Sequence, residues 1–255
     1  MKLCAPLIAS AGLLTLGLAG GATAQLSAYS QDFEGLDRNS GSALSDDGYG
    51  LFVNVFDPTG TTPLYNYGVF PAPNNISNPN ISVISDDTAA PVGSQGLVIF
   101  SDYNNGDHAN GNRIEVNVFQ EQTIAASDLG QTYTFSFTAA AVLDGNGQNV
   151  LAGTNTDALA FIKTLDPNAG FATTNFITAP TDMLAAGNTQ ISLDIDLNNP
   201  LLAGQILQFG FQNTASNYEA SGVNYDNISF GVVPEPASLA LLGLGTLTLI
   251  GRRRR

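Results

Sequence analysis

The chain has 255 residues, with 22 acidic side chains against 8 basic ones and a formal charge of −14 at neutral pH. That balance excludes a surface built for nucleic acid or anionic lipid, since both need a basic stripe. A single cysteine excludes an intrachain disulfide framework and a multi-thiolate metal centre.

In chain order, Lys2 is followed by the apolar run Leu3 to Gly20 and then Ala22-Thr23-Ala24. This is the pattern of a secretory signal peptide, with cleavage expected after Ala24 to leave Gln25 at the new N-terminus. Cys4 precedes the apolar run, where it is badly placed for lipid attachment, and it leaves with the signal. The body, 25–231, reads as one all-β domain, long enough for a sizeable core. Its short apolar or alternating runs are Tyr29–Leu36, Gly50–Asp57, Gln95–Tyr103, Arg113–Gln120, Thr132–Ala140, Asp157–Thr164, Thr189–Leu197, Gln205–Asn213 and Val223–Gly231. Clusters of Gly, Asn, Asp and Pro separate them. In Tyr133-Thr134-Phe135-Ser136-Phe137 the rings take one face and the hydroxyls the other, as a half-buried strand requires. Ile191, Leu193, Ile195 and Leu197 alternate with Ser192, Asp194 and Asp196 in the same way. Short helical turns are expected near Thr123–Leu129 and Thr181–Ala186, and 58–79 reads as a long loop. Nine strands in one domain of this size predict a single antiparallel β-sandwich.

The chain closes with Val232 to Gly251, twenty residues whose one charge is Glu235, followed by four arginines. As a helix this run matches a bilayer core of roughly 30 Å. The arginines would stay cytoplasmic, leaving the body outside. Taking away Lys2 and the four terminal arginines leaves three basic residues against 22 acidic ones, a formal charge of −19.

Two parts of the sequence resemble known families. The order Pro234-Glu235-Pro236, apolar run, then Arg252, Arg253, Arg254 and Arg255 resembles the PEP-CTERM sorting signal. That resemblance implies export, processing by a membrane-embedded exosortase, and delivery to the cell envelope or extracellular matrix. A plain C-terminal anchor that is never cut is the alternative. Three motifs in the body, Asp32-Phe33-Glu34-Gly35, Leu129-Gly130-Gln131-Thr132-Tyr133 and Tyr225-Asp226-Asn227-Ile228-Ser229-Phe230, resemble jelly-roll sandwiches of the galactose-binding-like and carbohydrate-binding-module group. The resemblance implies that the first and last strands pair and that a structural calcium sits there. Carried over by position, Glu34 and Asp226 are its ligands, with Asp32 farther along the same face. The other reading is that backbone amides or solvent satisfy both carboxylates.

Calcium takes six to eight hard oxygen ligands, and two loops compete for it: Asp102 to Asp107 and Asp144 to Asn149. Both hold Asn-Gly or Asp-Gly pairs, which are turn formers first, and neither has EF-hand spacing. For catalysis the residues offer little. His108, the only histidine, lies in a loop beside Asp107. No Gly-x-Ser-x-Gly elbow, phosphate loop, zinc motif or dinucleotide fingerprint is present. Glu115 and Glu121 are the glutamates that a glycosidase would have to use. The aromatic stretch Leu64 to Pro71 makes Tyr65 and Tyr67 the candidate sugar platform, since rings stack on sugar C–H faces. The sequence therefore predicts an exported, non-catalytic surface or matrix protein that associates with exopolysaccharide. An adhesive protein that binds other proteins, or a glycan hydrolase, are the alternatives. Intact-mass analysis of the secreted protein should give a species lacking Met1–Ala24 and the residues beyond the Pro-Glu-Pro region; a mass that retains Arg252 to Arg255 would point to the uncut anchor.

Overall fold

The structure is a computed structural model that describes residues 25–68, 71–85 and 91–233. The expected signal helix at 1–24 and the tail carrying Pro234, Glu235, Pro236 and the four arginines lie outside the described residues. The rest forms two antiparallel sheets packed face to face. The first holds β1 (Tyr29–Gln31), β4 (Ser82–Ser85), β5 (Gly96–Ile99), β7 (Thr132–Ala141), β10 (Asn188–Asp196) and β12 (Val223–Val232). Its order is β10-β7-β12-β5-β4, with β1 also pairing to β12. The second has the order β3-β2-β6-β11-β8-β9. Its strands are β2 (Gly50–Phe56), β3 (Pro63–Tyr67), β6 (Arg113–Thr123), β8 (Asp157–Asp166), β9 (Ala172–Pro180) and β11 (Ile206–Ala215). A single turn of helix, α1 (Ala43–Asp46), and four short 3-10 turns connect them. The first and last strands pair as expected, Tyr29 opposite Phe230 and Gln31 opposite Ile228.

Rings from three strands lock the sheets together. Tyr133, Phe135 and Phe137 of β7, Phe209 and Phe211 of β11, and Tyr225 and Phe230 of β12 are all buried. Phe211 stacks on Tyr225 at 3.7 Å and Phe209 on Phe230 at 4.2 Å, while Phe135 touches both Phe209 and Phe211. Such pairs add about 0.5–1.5 kcal/mol each beyond the area they bury. Strand alternation sends the intervening residues of β11, Gln208, Gly210 and Gln212, to the outer face of the second sheet.

Gly210 is required by close approach. A Cβ there would fall 2.6 Å from Phe119 Cα and into the Val118 carbonyl oxygen, so any side chain would force β11 away from β6. Its neighbours in register, Phe119 and Phe161, cover the gap.

Three strands depart from the sequence expectation. β4 is new. β9 lies in a stretch to which the sequence assigned no element, and β3 lies within 58–79, which is therefore not one continuous loop. All three sit at or beside sheet edges, where one-sided burial leaves little alternation to read. The turn Ala126–Asp128 forms within the expected segment, whereas Thr181–Ala186 contains no helix. Truncating Phe211 to Ala should cost about 3–5 kcal/mol in urea unfolding; a loss below about 1 kcal/mol would mean that the aromatic interlock is not what joins the sheets.

Candidate functional site: the outer face of the second sheet

Alternation fixes what the outer face presents. Across β6, β11, β8 and β9 the register places Glu121 opposite Gln208, Gln208 opposite Lys163, and Lys163 opposite Phe176. A second row runs Asn54, Glu115, Thr214 and Asp157 across β2, β6, β11 and β8. Side chains that look like ordinary surface polars in each strand become a continuous amide- and carboxylate-lined face once the strands are paired.

The hydrogen bonds on this face are specific. Asn54 Nδ2 and Asn117 Nδ2 both donate to Glu115 Oε1 at 2.8 Å. Gln208 Nε2 donates to Glu121 Oε2 at 2.6 Å. Gln208 is only 5 % exposed, and its Oε1 is buried with no partner among the described residues. Arg113 pairs with Asp157 at the edge of a hollow of about 380 Å³ between β8 and the 56–60 turn. The Lys163 ammonium lies 4.7 Å from the Phe161 ring centre and 5.7 Å from that of Phe119. Burial holds its pKa below the usual lysine value, opposed by the charges of Glu115 and Glu121. Phe176 is the exposed ring of the group, at 51 %, and it packs against Phe161 at 6.1 Å.

Tyr65 and Tyr67 are not on a loop. They belong to the edge strand β3, opposite Val55 and Val53, whose side chains point into the sandwich and are fully buried. The two rings stack at 6.2 Å, and their hydroxyls donate to Asp107 and Asp102 at 2.6 Å. They clamp the 102–107 loop to the end of the sandwich. The same loop shows turn chemistry in its other contacts: Asp102 Oδ1 accepts from the Asn104 amide and Asn105 Oδ1 from the Asp107 amide. Asp144 likewise caps the amides of Asn146 and Gln148.

Glu34 and Asp226 are brought to one corner, as the pairing of β1 with β12 implied. Glu34 Oε1 accepts from the amides of Ser94 and Gln95 at 2.6 and 2.9 Å, and Oε2 from the Ser94 hydroxyl at 2.6 Å. The Ser94 hydroxyl, then the two amides, hold its carboxyl below the usual range. Asp226 is buried at a bulge in β12, and its oxygens accept from Val92 N at 2.9 Å and Asn227 N at 2.6 Å. Burial raises its pKa, and the charges of Glu34 and Asp32 add to the rise. Among the described residues no group of three or more His, Cys, Asp or Glu side chains is placed to hold a metal. Each oxygen of Glu34 and Asp226 accepts from a protein donor, and the two carboxylates alone fall well short of the six to eight oxygens calcium takes.

His108 is fully buried. Its Nδ1 accepts from the Tyr218 amide and its Nε2 faces Ser101 Oγ at 3.3 Å, while that hydroxyl donates to the Ile114 carbonyl at 2.8 Å. Burial lowers its pKa. The imidazole is a packing element, and the hydroxyl beside it is committed elsewhere.

Residues 232–255 match the PEP-CTERM protein-sorting motif. The match begins at the end of β12, so the signal leaves directly from the sandwich. It implies export, exosortase processing and a transient membrane stage. No helix among the described residues is long and apolar enough to cross a membrane. No curated protein matches the chain. Solved structures similar to it include the enzymatically active domain of tailspike protein 4 of bacteriophage CBA120, at 15% identity and TM-score 0.40, over 60% of this chain and 18% of that one. The CBM22-1 xylan-binding domain of Paenibacillus barcinonensis Xyn10C is similar at 12% identity and TM-score 0.32, over 61% and 82%. A cyclase from Fischerella sp. TAU is similar at 13% identity and TM-score 0.39, over 82% and 100%. The chain thus spans under a fifth of the tailspike domain's length, and likenesses this distant assign no ligand or activity to it.

Because amides and the Ser94 hydroxyl satisfy the corner carboxylates, the melting temperature should be the same in calcium and in EGTA. A rise of several degrees with calcium that Asp226→Asn removes would show that a cation is held there.

Proposed function

We propose that this protein is an exported, non-catalytic carbohydrate-binding protein that associates with exopolysaccharide through the outer face of its second sheet. The observation that carries the reading is the row Glu121, Gln208, Lys163 and Phe176. It sets an exposed ring beside hydrogen-bonding groups of both polarities, which is the combination a sugar needs: an apolar C–H face to stack and hydroxyls that both donate and accept. The sorting motif supports placing this face outside the cell, where polysaccharide is met.

The position of the glutamates supports a binding role over hydrolysis. Glu115 and Glu121 share one face of β6, six residues apart, a separation of about 20 Å. Glycosidase carboxylates stand about 5–9.5 Å apart. For the alternative of an adhesive protein that binds other proteins, the strong negative charge of the body disfavours acidic partners only. In a pull-down on insoluble exopolysaccharide, Phe176→Ala should reduce retention at least about tenfold, the scale expected for an aromatic anchor. Tyr65→Ala with Tyr67→Ala should leave retention unchanged in protein that remains folded. The reverse pattern would move the site to the β3 edge.

A further inference from the structure

The sorting tail leaves the sandwich with almost no slack. Val232 pairs with Tyr133 at the end of β12, and the Val233 amide donates to the Thr132 carbonyl at 2.9 Å. Both valines therefore belong to the sheet. Only Pro234-Glu235-Pro236 separates them from the uncharged run Ala237 to Gly251, and a fully extended tripeptide spans about 10 Å. As a helix that run would reach about 22 Å, short of a bilayer core of roughly 30 Å. A short span is accommodated by local thinning of the bilayer, which leaves no spare length at its flanks. During the membrane stage that the sorting motif implies, the end of the sandwich from which β12 runs out is thus held against the membrane surface.

That end carries two exposed apolar side chains on fixed turns. Thr132 pairs with Asp196 of β10, and Asp196 lines a hollow of about 450 Å³ between the turns 167–171 and 199–203. Leu201 lines the same hollow and is 76 % exposed. Its amide is capped by Asn199 Oδ1 at 3.0 Å, and its carbonyl accepts from Gln205 Nε2 at 3.1 Å. Phe171 is 59 % exposed, and its amide donates at 2.8 Å to the carbonyl of Asp166, which also lines the hollow. Its φ of 63° is a left-handed backbone that a bulky side chain rarely adopts. The strained backbone holds a large ring out in solvent, outside the core, and an outlier of this kind points to a role other than packing.

We propose that this end, with Phe171 and Leu201 as its anchors, is the docking surface for the membrane-embedded enzyme that processes the tail. The assignment rests on the processing that the sorting motif implies, and it names the part of the body that takes part. An enzyme that grips the Pro-Glu-Pro segment works within about 10 Å of the sandwich, so this end is what it meets. Apolar side chains on fixed turns lose little freedom on binding, which suits them as anchors. The bilayer itself fits less well. Asp166 and Asp196 line the hollow, the chain upstream of the tail is strongly acidic, and an anionic membrane surface repels such a body. A protein partner with an apolar pocket and basic groups beside it suits both features.

The test is a time course of tail removal from the full chain in cells that carry the processing enzyme, with loss of Arg252 to Arg255 read by intact mass. The double variant Phe171→Asn, Leu201→Gln is compared with wild type and with Met183→Gln. Met183 is as exposed, at 75 %, but it sits at the opposite end of the sandwich, next to Asp182. Asn accepts a left-handed backbone more readily than Phe, so the melting temperature of the double variant should not fall. The expected result is tail removal slowed at least about tenfold in the double variant and unchanged in Met183→Gln. Each single substitution should give part of the effect, so the test does not hang on one variant. Processing of the double variant at the wild-type rate, or equal slowing by Met183→Gln, would overturn the docking surface and leave the sorting reading standing. A wild-type chain that keeps its arginines would overturn the processing reading and this assignment with it. Wild-type protein recovered from the medium should stay unbound to vesicles of phosphatidylethanolamine and phosphatidylglycerol; binding that the double variant abolishes would give the surface to lipid and overturn the enzyme as its partner.

Discussion

The alternation of β11 is the constraint on which both the core and the site depend. Phe209 and Phe211 face inward, where they stack on Phe230 and Tyr225 of the opposite sheet. Once those rings are fixed, the pleat leaves Gln208, Gly210 and Gln212 no choice of side. A slip of one residue would drive two amides into the core and two rings into solvent. The site therefore inherits its geometry from the best-packed part of the molecule, which is how the side chains of the outer face are held in register.

The face is shaped by what Gly210 lacks. With no Cβ at the centre of the second sheet, β6 and β11 approach closely, and Phe119 and Phe161 fold over the gap. These rings give Lys163 an apolar bed, so its four-carbon stem is buried while its charge stays near the surface. The arrangement also explains why a basic residue is tolerated half-buried in so acidic a chain: two glutamates on β6 offset its desolvation without pairing with it.

How far the sequence reveals this depends on the range of the interaction. Strands with strict alternation, such as 132–141 and 188–196, were legible from local pattern alone, whereas the meeting of the first and last strands was implied by the jelly-roll resemblance. β9 was not legible, because Ala172–Pro180 is an edge strand whose only partly buried apolar residues are Ile177 and Ala179, and its run of threonines and alanines carries little apolar pattern. Phe176 went unnoticed with it. Gln208 and Lys163 were individually unremarkable polar positions. Their significance lies in adjacency across strands, between residues 45 positions apart, which no local pattern records. Tyr65 and Tyr67 drew attention because clustered aromatics beside prolines suggest an exposed loop, yet the hydroxyls of Tyr65 and Tyr67 have partners on Asp107 and Asp102. Glu34 and Asp226 were correctly brought together, and the donors that satisfy them come from the backbone of Val92, Ser94 and Gln95 and from the Ser94 hydroxyl, a contribution that composition cannot display.

The central claim is spatial, and a structure of the protein with a bound oligosaccharide tests it most directly. The account predicts a sugar ring lying against Phe176 on the outer face of the second sheet. A sugar seated instead against Tyr65 and Tyr67 at the β3 edge, or in the corner beside Glu34 and Asp226, would contradict it.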